Sequence, residues 1–338
     1  MSAELTASAE RFPFRFGLGV PTSGPFGEPK NILCFAEAGE RLGFDDLWFN
    51  DHFNFDPSRR AGSPAGTDEA IRDQDPNFFE SITSAALVAG RTRTIGIAVG
   101  GLVVPLRHPV ILAKQIASLH ELSGRRLTVA PGIGGGAKDF ELVGKRFERR
   151  GKLLDENLAA LHAIWFSEPP VSFAGETFSF KEAWLYPRPK DLRLWITGET
   201  EPALERTARW GSGWFSAYHP VEGYPEKVAR LRELAARIGR DPDVIDTATI
   251  IFVCVADTRG KALEICGPTL ERRFRSRERG LAVSAVGSPT EVQEQLAARY
   301  RAGLRYLELR FWAHDTMSWL EMVERTNADV LPALRKMS

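Results

Sequence analysis

The 338 residues carry 44 Lys+Arg against 44 Asp+Glu, with 43% hydrophobic and 26% charged residues. That balance supplies a full core and gives no global field to draw the chain to nucleic acid or an anionic membrane. Met1–Glu10 lacks the cationic start and apolar centre of a signal peptide, and no apolar run nears the roughly 18 residues of a membrane span. Cys34, Cys254 and Cys266 have no paired spacing, so a reduced, cytoplasmic setting is expected.

In chain order, residues 1–13 read as a flexible leader and 14–338 as one domain. Phe14–Pro21 has strand character, and Asn31–Leu42 is an amphipathic helix ended by Gly43. Asp46–Phe49 is a second strand, closing on Asn50-Asp51-His52-Phe53. Residues 54–75, rich in Pro, Gly, Asp, Arg and Ser without periodicity, form a long loop of the kind that is usually functional or mobile. A helix over 77–90 leads to the apolar run Thr94–Val104, interrupted by Gly100-Gly101, where a bulge or close backbone approach is expected. Arg107-His108-Pro109 opens a helix from Val110 to Leu122, stopped by Gly124.

Leu127–Pro131 is a fourth strand, followed by Gly132-Ile133-Gly134-Gly135-Gly136 and, from Phe147, a helical stripe of Leu153, Leu154, Leu158, Leu161 and Ile164. Strand, glycine loop and helix form either a phosphate cradle or a plain βα turn. The spacing is neither Gly-x-Gly-x-x-Gly nor a P-loop. Val171–Tyr186 alternates like a hairpin about Ala174-Gly175-Glu176. Strands follow at Leu192–Thr197, Gly213–Ala217, Thr247–Val255 and Arg305–Phe311, with helices at Pro202–Trp210, Pro225–Ile238, from about Arg259, Thr290–Ala302 and about Met317–Lys336. Residues 267–289 read as irregular and basic.

Eight apolar strands, nearly all followed by helices, define an α/β chain folded as one (β/α)8 TIM barrel with insertions; a doubly wound open sheet is the competing arrangement. Barrel logic puts function at the C-terminal strand ends, here Asp51-His52, Gly100-Gly101, Gly132–Gly136, Gly198-Glu199 and Trp214.

Those strand ends resemble the luciferase-like superfamily of flavin- and deazaflavin-dependent enzymes. The resemblance rests on Leu47-Trp-Phe-Asn-Asp-His-Phe53, Pro105-Leu-Arg-His-Pro109, Leu112-Ala-Lys-Gln115 and Leu122-Ser-Gly-Arg-Arg-Leu127. Gly132–Glu141, Phe147–Glu156, Tyr186-Pro-Arg-Pro189 and Leu194–Glu199 through Ala208–Phe215 continue it in register. It implies a TIM barrel holding a planar tricyclic cofactor at its C-terminal mouth. The phosphate would be held by Gly134, Gly135, Gly136, Ala137, Lys138 and Asp139, with Thr197, Gly198 and Glu199. The strand-3 bulge, in the family often a non-proline cis peptide, would support the ring from Gly100 and Gly101.

Within the superfamily, an Asp-His pair ending strand 2 resembles the branch that uses the deazaflavin coenzyme F420. The resemblance implies His52 beside the ring as acid/base, and Asp51 or a backbone carbonyl is expected to fix which nitrogen bears the proton. The expected function is an oxidoreductase moving hydride to or from a small organic substrate. An FMN-dependent two-component monooxygenase fed by a separate flavin reductase is the second reading, and a non-catalytic flavin-binding relative the third. A homodimer is expected; nucleic-acid and membrane partners are not. One departure matters: Gly135 stands where the branch's sugar-phosphate dehydrogenase has a catalytic Glu, which argues against that substrate.

Other chemistry-bearing residues have plainer readings. His108 helps close a βα loop, His120, His162 and His219 are structural, and His314 could rim the pocket. No metal-binding spacing occurs. Trp48, Trp195 and Trp214 are expected in the core. Arg272, Arg273, Arg275, Arg277 and Arg279 form either a solvated face or a lid over an anion.

Overall fold

The computed structural model describes residues 13–23, 26–54, 77–313 and 315–337. The expected leader, apart from Pro13, the loop 54–75, apart from Asn54, and His314 lie outside the described residues.

Eight parallel strands close a barrel: β1 (Arg15–Gly19), β2 (Asp46–Asn50), β3 (Gly96–Val103), β4 (Leu127–Gly132), β7 (Arg193–Thr197), β8 (Gly213–Ala217), β9 (Asp246–Val255) and β11 (Tyr306–Phe311). They pair in the order β9-β11-β1-β2-β3-β4-β7-β8, and β8 returns to β9. The antiparallel hairpin β5 (Val171–Ala174) and β6 (Ser179–Ala183) stands outside the count, as the sequence suggests. The strands are short apolar runs buried on both faces, the expected pattern for a parallel sheet covered by helices.

Outward residues such as Phe16, Leu18, Leu47, Phe49, Val129, Ile196 and Trp214 pack under the helices. Inward residues Trp48, Ala98, Ala130, Trp195, Phe215, Ala248, Ile250 and Tyr306 make a separate cluster that plugs the barrel. Trp48 and Phe215 stack with centroids 4.4 Å apart, and Trp48 Nε1 donates to Tyr306 Oη at 2.6 Å. Beneath them Tyr306 Oη donates to Asp46 at 3.0 Å, Arg193 binds Asp46 at 2.9 Å, and Arg15 pairs with Asp246. The lower barrel is a packed, charge-balanced plug, which leaves the upper rim for chemistry.

The segment 267–289 corrects the irregular reading. The helix Arg259–Phe274 continues through Pro268, a short helix Arg277–Ala282 follows, and Ser284–Gly287 forms β10, a ninth parallel strand on the outer half of β9. Ala262, Cys266 and Leu270 are buried at four-residue spacing, and that packing outweighs the roughly 3 kcal/mol cost of an interior proline.

Candidate active site

Three strand ends build one wall of the mouth. Asp51, just past β2, is buried, and its carboxylate accepts from Ser81 Oγ (2.9 Å), the Val103 N–H (2.8 Å) and both terminal nitrogens of Arg107 (2.7 and 2.9 Å). Arg107 also pairs with Glu80 at 2.9 Å. Burial works against the charge on Arg107, but Asp51 and Glu80 more than restore it. Asp51 thus ties β2 to the end of β3 and to the helix Ser81–Arg91, and none of these described bonds reaches His52.

His52 follows with its ring edge-on to Phe78, centroids 5.1 Å apart. His52 is exposed as a residue, yet protein crowds around its imidazole, and this desolvation is the largest cause of a lowered pKa. Arg310 lowers it further, Asp51 partly opposes this, and Arg273 lowers it again. The imidazole is therefore poised neutral near pH 7.

On β3 the pairing with β4 shifts register between Gly100 and Leu102, so the expected bulge is present. The cis peptides among the described residues precede Pro170 and Pro187, so Gly100–Gly101 is joined in trans. Gly100 has a packing reason to lack a side chain, since a Cβ there would lie 2.7 Å from Trp48. Gly101 takes φ +64°, and the space where its Cβ would stand is open.

The glycine loop follows β4 and leads into the short helix Ala137–Leu142. Gly134 takes φ +80°, and a Cβ would collide with Val103 at 2.6 Å, which places this loop against the same strand end that Asp51 grips. Above Gly135 the space is open, and among the described residues the N–H groups of Gly135, Gly136 and Ala137 have no acceptor. This is a cradle that fits an anionic group. Lys138 pairs with Glu141, and the Asp139 carboxylate lies beside Gly136, at the edge of the cradle. Across the gap Thr197 Oγ1 donates to Pro131 O at 2.9 Å, and Gly198 takes φ +121°. The Glu199 carboxylate accepts from Ser216 Oγ (2.6 Å) and the Ala217 N–H (3.1 Å) and lies 3.2 Å from His219 Nδ1. It braces the end of β8.

Apart from Arg273, the facing wall holds residues the sequence reading did not single out. Glu308 and Arg310 alternate inward on β11, joined at 2.7 Å. Burial works against the charge on Arg310, but Glu308 and Tyr218 hold its pKa above the ordinary arginine value. Arg310 also donates to Asn50 Oδ1 and, at 3.1 Å, to Tyr218 Oη. Arg273 donates to the same oxygen at 2.9 Å. The signal that could have revealed Glu308 and Arg310 was the two-residue period of a barrel strand, which turns both charges inward.

His108 and His120 make structural contacts: His108 Nδ1 accepts from the Val110 N–H, and His120 Nε2 meets Lys190 O at 2.7 Å. Among the described residues, two surface grooves lie on the barrel's outer helices, near Leu263 and Glu271 and near Leu204 and Arg230, away from this constellation.

A parallel eight-stranded barrel with a histidine, an open glycine loop and a buried arginine–carboxylate pair at one mouth defines a TIM-barrel class. A profile described as luciferase-like monooxygenase matches residues 12–280, and the chain belongs to that family. It is similar, at 26% identity over 96% of this chain and 98% of the relative, to an F420-dependent glucose-6-phosphate dehydrogenase of Microbacterium testaceum. The fold matches an F420-dependent secondary alcohol dehydrogenase in complex with an F420-acetone adduct (TM-score 0.79, 18% identity, 95% of this chain and 99% of the other). It also matches the FMN-bound oxygenating constituent of 3,6-diketocamphane monooxygenase from Pseudomonas putida (TM-score 0.74, 19% identity, 95% and 98%).

Proposed function

We propose that this protein is an F420-dependent oxidoreductase that moves a hydride between the deazaflavin and a carbon bearing a hydroxyl or carbonyl oxygen in a small organic substrate. The observation that carries the reading is His52, poised neutral at the end of β2 beside a buried cation. When bound, the deazaflavin supplies a ring carbon that gives or takes hydride; the protein supplies position and proton handling. The backbone N–H groups of Gly135–Ala137 would hold the phosphate, with Thr197 and Gly198 closing the cradle and the open space at Gly101 admitting the ring. His52 then accepts the hydroxyl proton as the carbon loses hydride, or returns it in reduction. Asp51 acts at a distance, by fixing the backbone that carries His52. Gly135, in place of the branch's catalytic glutamate, argues for a substrate other than a sugar phosphate.

The FMN-bound relative in fold supports a second reading, monooxygenation with reduced flavin from a separate reductase. The two separate in one measurement: purified protein is titrated with F420 and with FMN while chromophore absorbance is followed. Retention of F420 with weak FMN binding is expected, and the reverse would replace the reading with the second. A homodimer is part of the proposal, supported by Leu87 and Ile111, which are 46% and 61% exposed on the helices flanking β3. Sedimentation as a monomer at micromolar concentration would remove it.

A further inference from the structure

Tyr218 stands one residue past β8 with φ +58°, a left-handed backbone that costs a non-glycine residue about 1–3 kcal/mol and persists only where the surroundings impose it. Glu199 imposes it here, by gripping Ser216, the Ala217 N–H and His219 around the bend. The bend turns the phenol ring inward, where it packs on the cluster that plugs the barrel. On its other side the ring stacks on Phe252 at 5.5 Å, and Phe252 stacks on Trp312 at 4.4 Å.

The hydroxyl has an unusual set of neighbours. A tyrosine oxygen offers two lone pairs and one hydrogen. Arg273 and Arg310 each direct an N–H to that oxygen, at 2.9 and 3.1 Å, and so occupy both lone pairs. Only the hydrogen is left, and among the described residues it has no acceptor. Two guanidiniums drawing electron density from the oxygen make that hydrogen a stronger donor, as charge-assisted bonds do. Arg310 is itself fixed by Glu308 and Asn50, so the arrangement is rigid before any substrate arrives.

We propose that the Tyr218 hydroxyl, held between Arg273 and Arg310, donates its hydrogen bond to the substrate oxygen on which negative charge develops, opposite the base His52. The role rests on the hydroxyl–carbonyl chemistry of the preceding reading. The hydride leaves or joins carbon, the oxygen's proton goes to or comes from His52, and the Tyr218 O–H bond stays intact. Tyr218 stabilises the charge at the moment the proton and hydride are apart. The stacked Tyr218–Phe252–Trp312 wall favours a substrate with a flat or aromatic body beside that oxygen.

The test uses 4-nitrophenolate as an aromatic oxyanion and nitrobenzene as its neutral counterpart, both titrated against the protein with and without cofactor under alkaline conditions where the phenol is ionised. Wild type should bind the phenolate, and Tyr218→Phe should bind it about tenfold more weakly, the scale of one lost charge-assisted hydrogen bond. Nitrobenzene should bind both alike. Arg273→Met should weaken phenolate binding in the wild-type background and have little further effect with Tyr218→Phe, because it acts through the shared oxygen. No phenolate binding by wild type, equal binding by Tyr218→Phe, or fully additive losses would each overturn the assignment. Because the probe needs no cofactor, a failure here is separable from failure of the F420 titration, which judges the reading beneath it.

Discussion

Two buried arginine–carboxylate pairs stand at the mouth of this barrel, and they are built differently. Asp51 meets Arg107 with both oxygens and accepts further bonds from Ser81 and the Val103 N–H. Glu308 meets Arg310 through one oxygen, while its Oε2 has no partner among the described residues. The first pair is saturated and joins three elements, so its consequence is mechanical. The second leaves bonding capacity unspent and passes its cation on to Asn50 and Tyr218, so its consequence is electrostatic. A motif that looked like a catalytic dyad, Asp51-His52, divides its labour between these regions: the aspartate belongs to the frame and the histidine to the field of the facing wall.

The strongest way to break the comparison is at His52. His52→Ala should keep fold and cofactor affinity yet lose about 10²–10⁴ in turnover, the usual worth of a positioned acid or base. Full activity with normal cofactor occupancy would make His52 a packing residue. Asp51→Asn should act in the opposite sense. It disrupts a bidentate buried pair and should cost about 3–5 kcal/mol in chemical denaturation. A loss of under about 1 kcal/mol would show that other contacts carry the frame.

A third outcome sharpens it through pH. His52 has its pKa lowered by burial first and by Arg310 next, so the neutral, competent form should survive to lower pH than for a free histidine. The acid limb of the kcat/KM profile is expected below the ordinary histidine value of about 6.5. Arg273→Met, removing one of the opposing cations, should move that limb upward. A limb at the ordinary value in both proteins would show that the facing wall does not govern His52. The smallest expected effect is at the cradle. The space above Gly135 is open, so Gly135→Val should leave stability near wild type while weakening cofactor binding about tenfold by equilibrium titration. Unchanged affinity would move the phosphate elsewhere.

Much of this was legible in the chain because a parallel barrel writes its strands as short apolar runs. All eight barrel strands and the extra hairpin lie where those runs and their glycine stops put them. What escaped notice has physical causes. Gly267-Pro268 are strong punctuation in a local reading, but the buried stripe Ala262, Cys266 and Leu270 holds the helix through them. Ser284–Gly287 is too short and too small-chained to register as an apolar run, although all four residues are buried. At the mouth, the motif residues were readable by their place at strand ends. Glu308, Arg310 and Tyr218 belong to no local pattern; their meaning comes from meeting across the barrel. Glu199 shows the converse, since its spacing suggests a ligand contact while its carboxylate braces β8.

The ninth strand also bears on how the mouth is held. β10 pairs with Phe252–Val255 alone, and Ala256 donates to Gly287 O at 3.0 Å, so residues 256–288 leave and rejoin the molecule at a single site on β9. Neighbouring strands lie about 4.8 Å apart, so the two ends of this excursion are already side by side. Within it, Ala262, Cys266 and Leu270 pack into the main core, so the excursion is anchored at its two ends and along one helical stripe. It also carries Arg273 and Phe274 to the mouth. The outer edge of β9 and the wall facing His52 are therefore one continuous piece of chain, so a change in how β10 docks would be felt at Arg273.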